Sequence, residues 1–187
     1  MKKLFLVLFL INFSTLFAQK ECEYTTNVTD SIGTYKSTKE FLAHERFFGG
    51  SEKSIFFSLI DSGEFPSLNI KIIQKSSEFI PAVCFDTTSK IFFQLENGKV
   101  ITLISINEYD CGNSVLVDDK NCRILSGYFL FMKDTFEELK NSPISLMRIK
   151  FSTETVDYVI KEELISEADQ SVFRPSTYFI DYLKCVE

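Results

Sequence analysis

The sequence predicts an α+β fold, a mostly antiparallel β-sheet with one short helix and a C-terminal helix. Three observations carry this reading. Apolar runs of strand length recur along the chain, bounded by Gly, Pro, Asn and Asp. One internal segment, near residues 134–143, has a helix start and stop pattern. After Pro175 the apolar spacing changes to a helical period. Strands, a short helix, two further strands and a terminal helix do not make the βαβ alternation of a parallel sheet. A β-barrel or sandwich with helical additions is the alternative arrangement.

The elements follow in chain order. Residues 19–33 are polar and read as an arm or loop. Residues 41–48 read as a strand that ends in a turn at Gly49, Gly50 and Ser51. Residues 54–61 are rich in Phe and Ile and form a better strand signal. In 68–74, Leu68, Ile70 and Ile72 share one parity, so one face is apolar. Residues 91–106 carry the strongest local signal. Asn97-Gly98 fits a two-residue type I′ turn, which sets Leu95 opposite Val100 and Phe93 opposite Thr102. Both faces of that hairpin are largely apolar, which predicts a central position covered on both sides.

Residues 124–132 read as another apolar strand. Asp134 with Glu137 three residues on makes a capping-box pattern, Phe136 and Leu139 share a helix face, and Pro143 stops the helix. Residues 144–151 and 156–160 predict a second hairpin. A four-residue loop at 152–155 sets Phe151 opposite Val156 and Lys150 opposite Asp157. Residues 161–171 read as an acidic loop. After Pro175, Tyr178, Phe179, Tyr182, Leu183, Cys185 and Val186 fall on one helical arc.

The N-terminus has the order of a secretory signal: Lys2 and Lys3, an apolar run from Leu4 to Ile11, then Ala18 before a cut at Gln19. Residues 1–18 are therefore expected to be a signal peptide, and 19–187 a single sheet-rich domain that is periplasmic or secreted. The apolar run is shorter than the roughly 20 residues that span a bilayer, and the remaining chain carries no predicted transmembrane segment. The formal charge is −6, and losing Lys2 and Lys3 makes the chain more acidic. That balance argues against a nucleic-acid partner, which needs a basic stripe.

All five cysteines lie beyond the signal. Export makes disulfides the expected state, and an odd count leaves at least one thiol over. Cys111 and Cys122 are nearest in sequence and form the expected bridge. Cys185, on the apolar arc of the last helix, is a buried thiol or a bridge partner of Cys84 or Cys22.

The chemistry-bearing residues do not assemble into a site in the sequence. His44 is the single histidine and reads as a half-exposed strand residue. No zinc-protease spacing, nucleophile elbow, phosphate loop or dinucleotide fingerprint occurs. Asp118, Asp119 and Asn121 form an oxygen-rich turn without the spacing of a calcium loop. Asp157, Glu162, Glu163, Glu167 and Asp169 cluster in sequence but lack a Trp platform for sugar chemistry, since the chain has no Trp. The expectation is no catalytic, cofactor-binding or metal-binding residue and no cofactor, which leans away from an enzyme without deciding against one.

The E-N-G-K hairpin, L-K-N-S-P-I-S-L-M-R-I-K-F followed by V-D-Y-V-I-K-E-E, and the closing Y-F-I-D-Y-L-K-C resemble segments of small secreted bacterial proteins of unknown function. That resemblance implies no activity and carries over no residue. Of twenty Phe, four lie in the signal, and the other sixteen with seven Tyr are enough to fill a core and leave some for a binding face. With no chemistry in view, they predict an exported, non-enzymatic binding or protein-interaction module, with a toxin-neutralising immunity protein as one version. The alternatives are a carrier of small apolar ligands and an enzyme of unrecognised type.

Overall fold

A computed structural model describes residues 20–31, 33–63, 65–132 and 135–187. The signal-peptide expectation and the Asp134 cap lie outside the described residues. Every strand pair is antiparallel. The strands are β1 (Tyr24–Thr29), β2 (Thr34–Thr38), β3 (Phe41–Phe48), β4 (Ser51–Asp61), β5 (Ser67–Ser76), β6 (Lys90–Leu95) and β7 (Val100–Ser105). They continue with β8 (Asn113–Val117), β9 (Lys120–Phe131), β10 (Ile144–Lys150) and β11 (Thr155–Val159). Helix α1 (Thr135–Asn141) stands between β9 and β10. A small hairpin of β12 (Leu164–Ile165) and β13 (Val172–Phe173) precedes helix α2 (Tyr178–Tyr182), which has a 3-10 turn on each side.

The main sheet runs β1-β2-β4-β5-β9-β7-β6-β10-β11, with β3 added to β4 and β8 to β9. Its ends do not pair, so the barrel alternative is not realised. Two long strands explain the branching. β2 and β3 share one edge of β4, β2 at Ile60 and Asp61 and β3 from Phe57 down to Ser51. Between them the Leu59 N–H would lack a partner, and Thr38 Oγ1 accepts it at 2.8 Å. β8 and β7 likewise share one edge of β9. In the gap, the Asn107 side chain imitates a strand neighbour. Its Oδ1 accepts from Tyr128 N–H at 2.8 Å and its Nδ2 donates to Tyr128 O at 3.1 Å.

Residues 19–33 are not the expected loop, because β1 occupies 24–29. Its β-branched Thr25, Thr26, Val28 and Thr29 suit a half-exposed edge. The 161–171 stretch also contains β12, closed onto β13 by a turn in which Gln170 is left-handed. The Leu68, Ile70 and Ile72 parity is realised, with all three in the core. Phe57, Leu59, Ile91, Phe93, Leu103, Phe129, Met147 and Ile149 complete it from the neighbouring strands. α2 and its flanking turns cover this core with Tyr178, Phe179, Leu183, Cys185 and Val186 buried, as the helical arc predicts.

Both hairpins form, but in other registers. In β6–β7, Phe93 pairs with Ile101 and Ile91 with Leu103. The loop has three residues: Leu95 N–H donates to Lys99 O, Gly98 N–H to Leu95 O, and Gly98 alone of the expected pair is left-handed, at φ 84°. That added residue moves Ile101 and Leu103 to the buried face. Among the described residues Val100 and Ile104 are left exposed, contrary to the expectation of two covered faces. The type I′ turn occurs instead at Asp118-Asp119, both left-handed between paired Val117 and Lys120. In β10–β11, Ile149 pairs with Val156 and Arg148 with Asp157, a two-residue slide that preserves the faces. The charge pair is therefore Arg148–Asp157, with two hydrogen bonds of 2.6 and 2.7 Å, and not Lys150–Asp157.

No atom crowds a Cβ placed at Gly98, so its substitution is a test of backbone alone. Gly98→Val should cost about 1–2 kcal/mol, a fall in Tm of roughly 2–8 °C in a chain of this size. A melt at the wild-type temperature would show that the loop does not need its left-handed residue.

The disulfides are Cys22–Cys185 and Cys84–Cys111, and Cys122 is a buried free thiol. The expected Cys111–Cys122 bridge is thus replaced, and the strand register explains why. Cys122 stands opposite Val115. Cys111 lies four residues further along, about 13 Å at the rise of a strand, beyond the reach of a disulfide. Phe85 and Asp110 form an antiparallel bridge, which puts the flanking Cys84 and Cys111 opposite one another.

Candidate functional site

The sheet curls until its two margins approach. His44 on β3 meets the Tyr158 ring on β11 edge-on at 5.1 Å, and the Lys53 ammonium on β4 lies 5.8 Å from the centre of the same ring. Among the described residues β3 pairs only with β4 and β11 only with β10. The seam between them stays unpaired and opens into a groove of about 600 Å³. Alternate residues of β3, His44, Arg46 and Phe48, line one wall, as the period of a strand requires. Residues 156–159 of β11 form the other wall. The ends of β4 and β5 make the floor, and Glu78 to Pro81 close one end.

The charges in this groove are arranged unusually. Arg46 and Lys53 stand directly opposite each other in the β3–β4 ladder, where like charges repel. Neither forms an ion pair among the described residues. The Arg46 guanidinium lies over the Phe48 ring at 5.4 Å. Burial holds the Lys53 ammonium below its ordinary value, Glu154 pulls it back up, and Arg46 pushes it down further. Of the nearby carboxylates, Glu52 is engaged with Lys75 at 3.8 Å and Asp157 with Arg148, while Glu154 acts on Lys53 without an ion pair. Glu78, at the closed end, is exposed. Burial also pushes the Tyr158 hydroxyl up to about 12, with Glu154 adding to it. Phe48 and Phe79 rim the groove at 74% and 80% exposure, an open aromatic surface on either side of the cations.

Burial is the main cause that lowers the His44 imidazole. A contact with the Val159 backbone opposes it, and the charges of Lys161, Lys53 and Arg46 reinforce it. The unfolded chain takes up this proton first as the pH falls. The His44 contribution to stability is therefore intact above the ordinary value of 6.5 and is lost as the pH drops through the lowered one. Wild-type protein should lose more stability than His44→Gln between about pH 7 and pH 5, read by denaturant melts at both. Equal losses would show that His44 is not held neutral by the fold.

A larger pocket of about 670 Å³ lies between the N-terminal arm and β13, floored by Phe41, Phe173, Tyr178 and Tyr182. Its rim lysines are already matched, Lys20 with Asp181 at 2.9 Å and Lys39 with Glu23 at 3.1 Å, and Glu40 is paired with Lys71. The Tyr178 hydroxyl is buried near the Thr38 side chain and makes no hydrogen bond among the described residues. The lysines of this pocket are paired, whereas Arg46 and Lys53 at the seam form no ion pair among the described residues.

The residues singled out in the sequence are scattered by the fold. His44 enters the seam groove. Asp118 and Asp119 form the turn described above. Of the acidic cluster, Asp157 is tied to Arg148, the Glu167 backbone N–H donates to Glu45, and the Asp169 carboxylate accepts from the Ser171 N–H. Among the described residues no group of three or more His, Cys, Asp or Glu is placed to hold a metal ion. Arg46, Lys53 and Phe79 were not legible as a site, since three separate segments bring them together. Comparison with protein-family models, curated proteins and solved structures finds no match to this chain.

Proposed function

We infer that this chain is an exported, non-enzymatic interaction module that docks a protein partner at the seam groove. The observation that carries the reading is the unmatched Arg46–Lys53 pair set between two exposed Phe rings. Aromatic side chains beside Arg, in a concave surface with unsatisfied polar groups, are the composition of a binding hot spot. Two disulfides support the export half, since they persist in oxidising compartments. A carrier of apolar ligands needs an empty volume between sheet and helix. Here Phe57, Phe93 and Phe131 fill that volume by packing on Phe179, with ring centres 5.1 to 6.3 Å apart.

The test is a variant-dependent pull-down from the exported fraction of the native cell. Phe48→Ser with Phe79→Ser removes two exposed rings, so Tm should stay within about 4 °C of wild type, as for ordinary surface changes. The wild type should recover a partner that the double variant loses. Recovery of the same partner by both proteins would overturn the reading.

A further inference from the structure

We propose that the seam between β3 and β11 receives an extended acidic segment of the partner as an added β-strand, with its carboxylates anchored on Arg46 and Lys53. This rests on the interaction reading above and names its ligand. Three independent features of the seam point to that occupant.

The first is backbone. β3 and β11 both line the groove, and among the described residues each is paired along one edge only. Their N–H and C=O groups are a template for strand addition, and proteins commonly blunt or cover such edges. β11 offers five residues, room for a segment of about 17 Å at strand rise. The added strand fills the break in a sheet that otherwise curls back on itself, which is how edge-binding domains gain affinity from main-chain bonds.

The second is charge. Arg46 opposite Lys53 is a cross-strand pair that costs stability in the free protein. Lys53 is also partly withdrawn from water, and Glu154 offsets its charge only from beyond ion-pair distance. A carboxylate between the two removes both costs at once. An acidic side chain satisfies this geometry and a basic one worsens it. In a chain of overall charge −6, two adjacent cations without an ion pair are a local exception.

The third is the rim. Phe48 and Phe79 flank the cations and take the apolar side chains that alternate with acidic ones along a strand. The ligand class is thus an alternating acidic and apolar stretch.

The chain has no Trp, so a Trp in a peptide reports on binding without background. The probe is acetyl-Glu-Val-Glu-Trp-Glu-Val-Glu amide, titrated with the whole disulfide-bonded protein. We expect a saturable blue shift, together with slowed hydrogen exchange at residues 155–159. Arg46→Gln and Lys53→Gln should each weaken binding about tenfold, and both should raise Tm because each relieves the like-charge pair. The same peptide with Lys for Glu, or with alternate backbone nitrogens methylated, should bind at least about tenfold more weakly. Equal binding of the Lys peptide overturns the charge argument, and equal binding of the methylated peptide overturns strand addition. If no acidic peptide binds while Phe48→Ser with Phe79→Ser still loses the native partner, strand addition is wrong and the interaction reading stands.

Discussion

Ending the chain after Lys161 should leave a protein that is insoluble or molten, with near-native strand content, no near-ultraviolet tertiary signal and strong dye binding. The deleted part carries Tyr178, Phe179, Leu183 and Val186, all buried. At about 1.5–3 kcal/mol each, their burial contributes roughly 6–12 kcal/mol, comparable to the whole net stability of a domain, about 5–15 kcal/mol. The loss also uncovers Phe57 and Phe93, which pack on Phe179 at 6.3 and 5.1 Å. It further removes the Cys22–Cys185 bond, which spans 163 residues and is worth about 5 kcal/mol by loop closure. Phe179→Ala gives the same test in a full-length chain and should cost about 3–5 kcal/mol. A truncated protein that stays soluble and melts cooperatively would show that the strands close their own core. It would make the terminal helix an accessory.

The terminal helix could be read from the sequence because its signal is local. Six apolar residues on one arc have one way to face a sheet, and five of the six are buried. The parity of Leu68, Ile70 and Ile72 is local in the same sense. Register is not. The β6–β7 hairpin is apolar on both faces, so no polarity contrast distinguishes a two-residue from a three-residue loop, and one added residue exchanges the faces. In β10–β11 the contrast is strong, and it correctly fixes which residues face inward. Parity, however, constrains register only to the nearest two residues, and the bidentate Arg148–Asp157 pair satisfies the polar face where Lys150–Asp157 had been expected.

β1 and β8 were hidden for another reason. Tyr24–Thr29 and Asn113–Val117 lie at sheet margins, and all five β8 residues are exposed. Such strands are held by their neighbours' backbone and need no apolar alternation of their own. The disulfides followed from these unread registers, because Cys84 and Cys111 become neighbours only once Phe85 bridges Asp110. The seam groove lies one level further out. Its cations come from adjacent strands, but its opposite wall is more than a hundred residues away and arrives only through the curl of the whole sheet. His44 was visible as the single histidine. Its neighbours, which give the groove its character, were not.

A single-residue effect as large as that of Phe179→Ala should come from Gly112→Ala. Gly112 sits at φ 69°, a conformation that costs a residue with a Cβ about 1–3 kcal/mol. A Cβ at this site would also lie 2.1 Å from the carbonyl oxygen of Ile124 and 2.9 Å from Leu125 Cα. Both atoms belong to the backbone of β9, which is pinned on its other edge by continuous pairing with β5. Neither can yield as a flexible side chain would, so the loop after Cys111 must move instead. That movement pulls on the Cys84–Cys111 bond and on the start of β8, which pairs at Asn113 with Ile124. We expect a loss of about 3–5 kcal/mol, at the upper end for a point change. A second free-thiol fraction should appear beside that of Cys122 when the oxidised protein is denatured and counted. A Gly112→Ala protein with wild-type Tm and a single free thiol would show that the close approach of this loop to β9 is not part of the folded state.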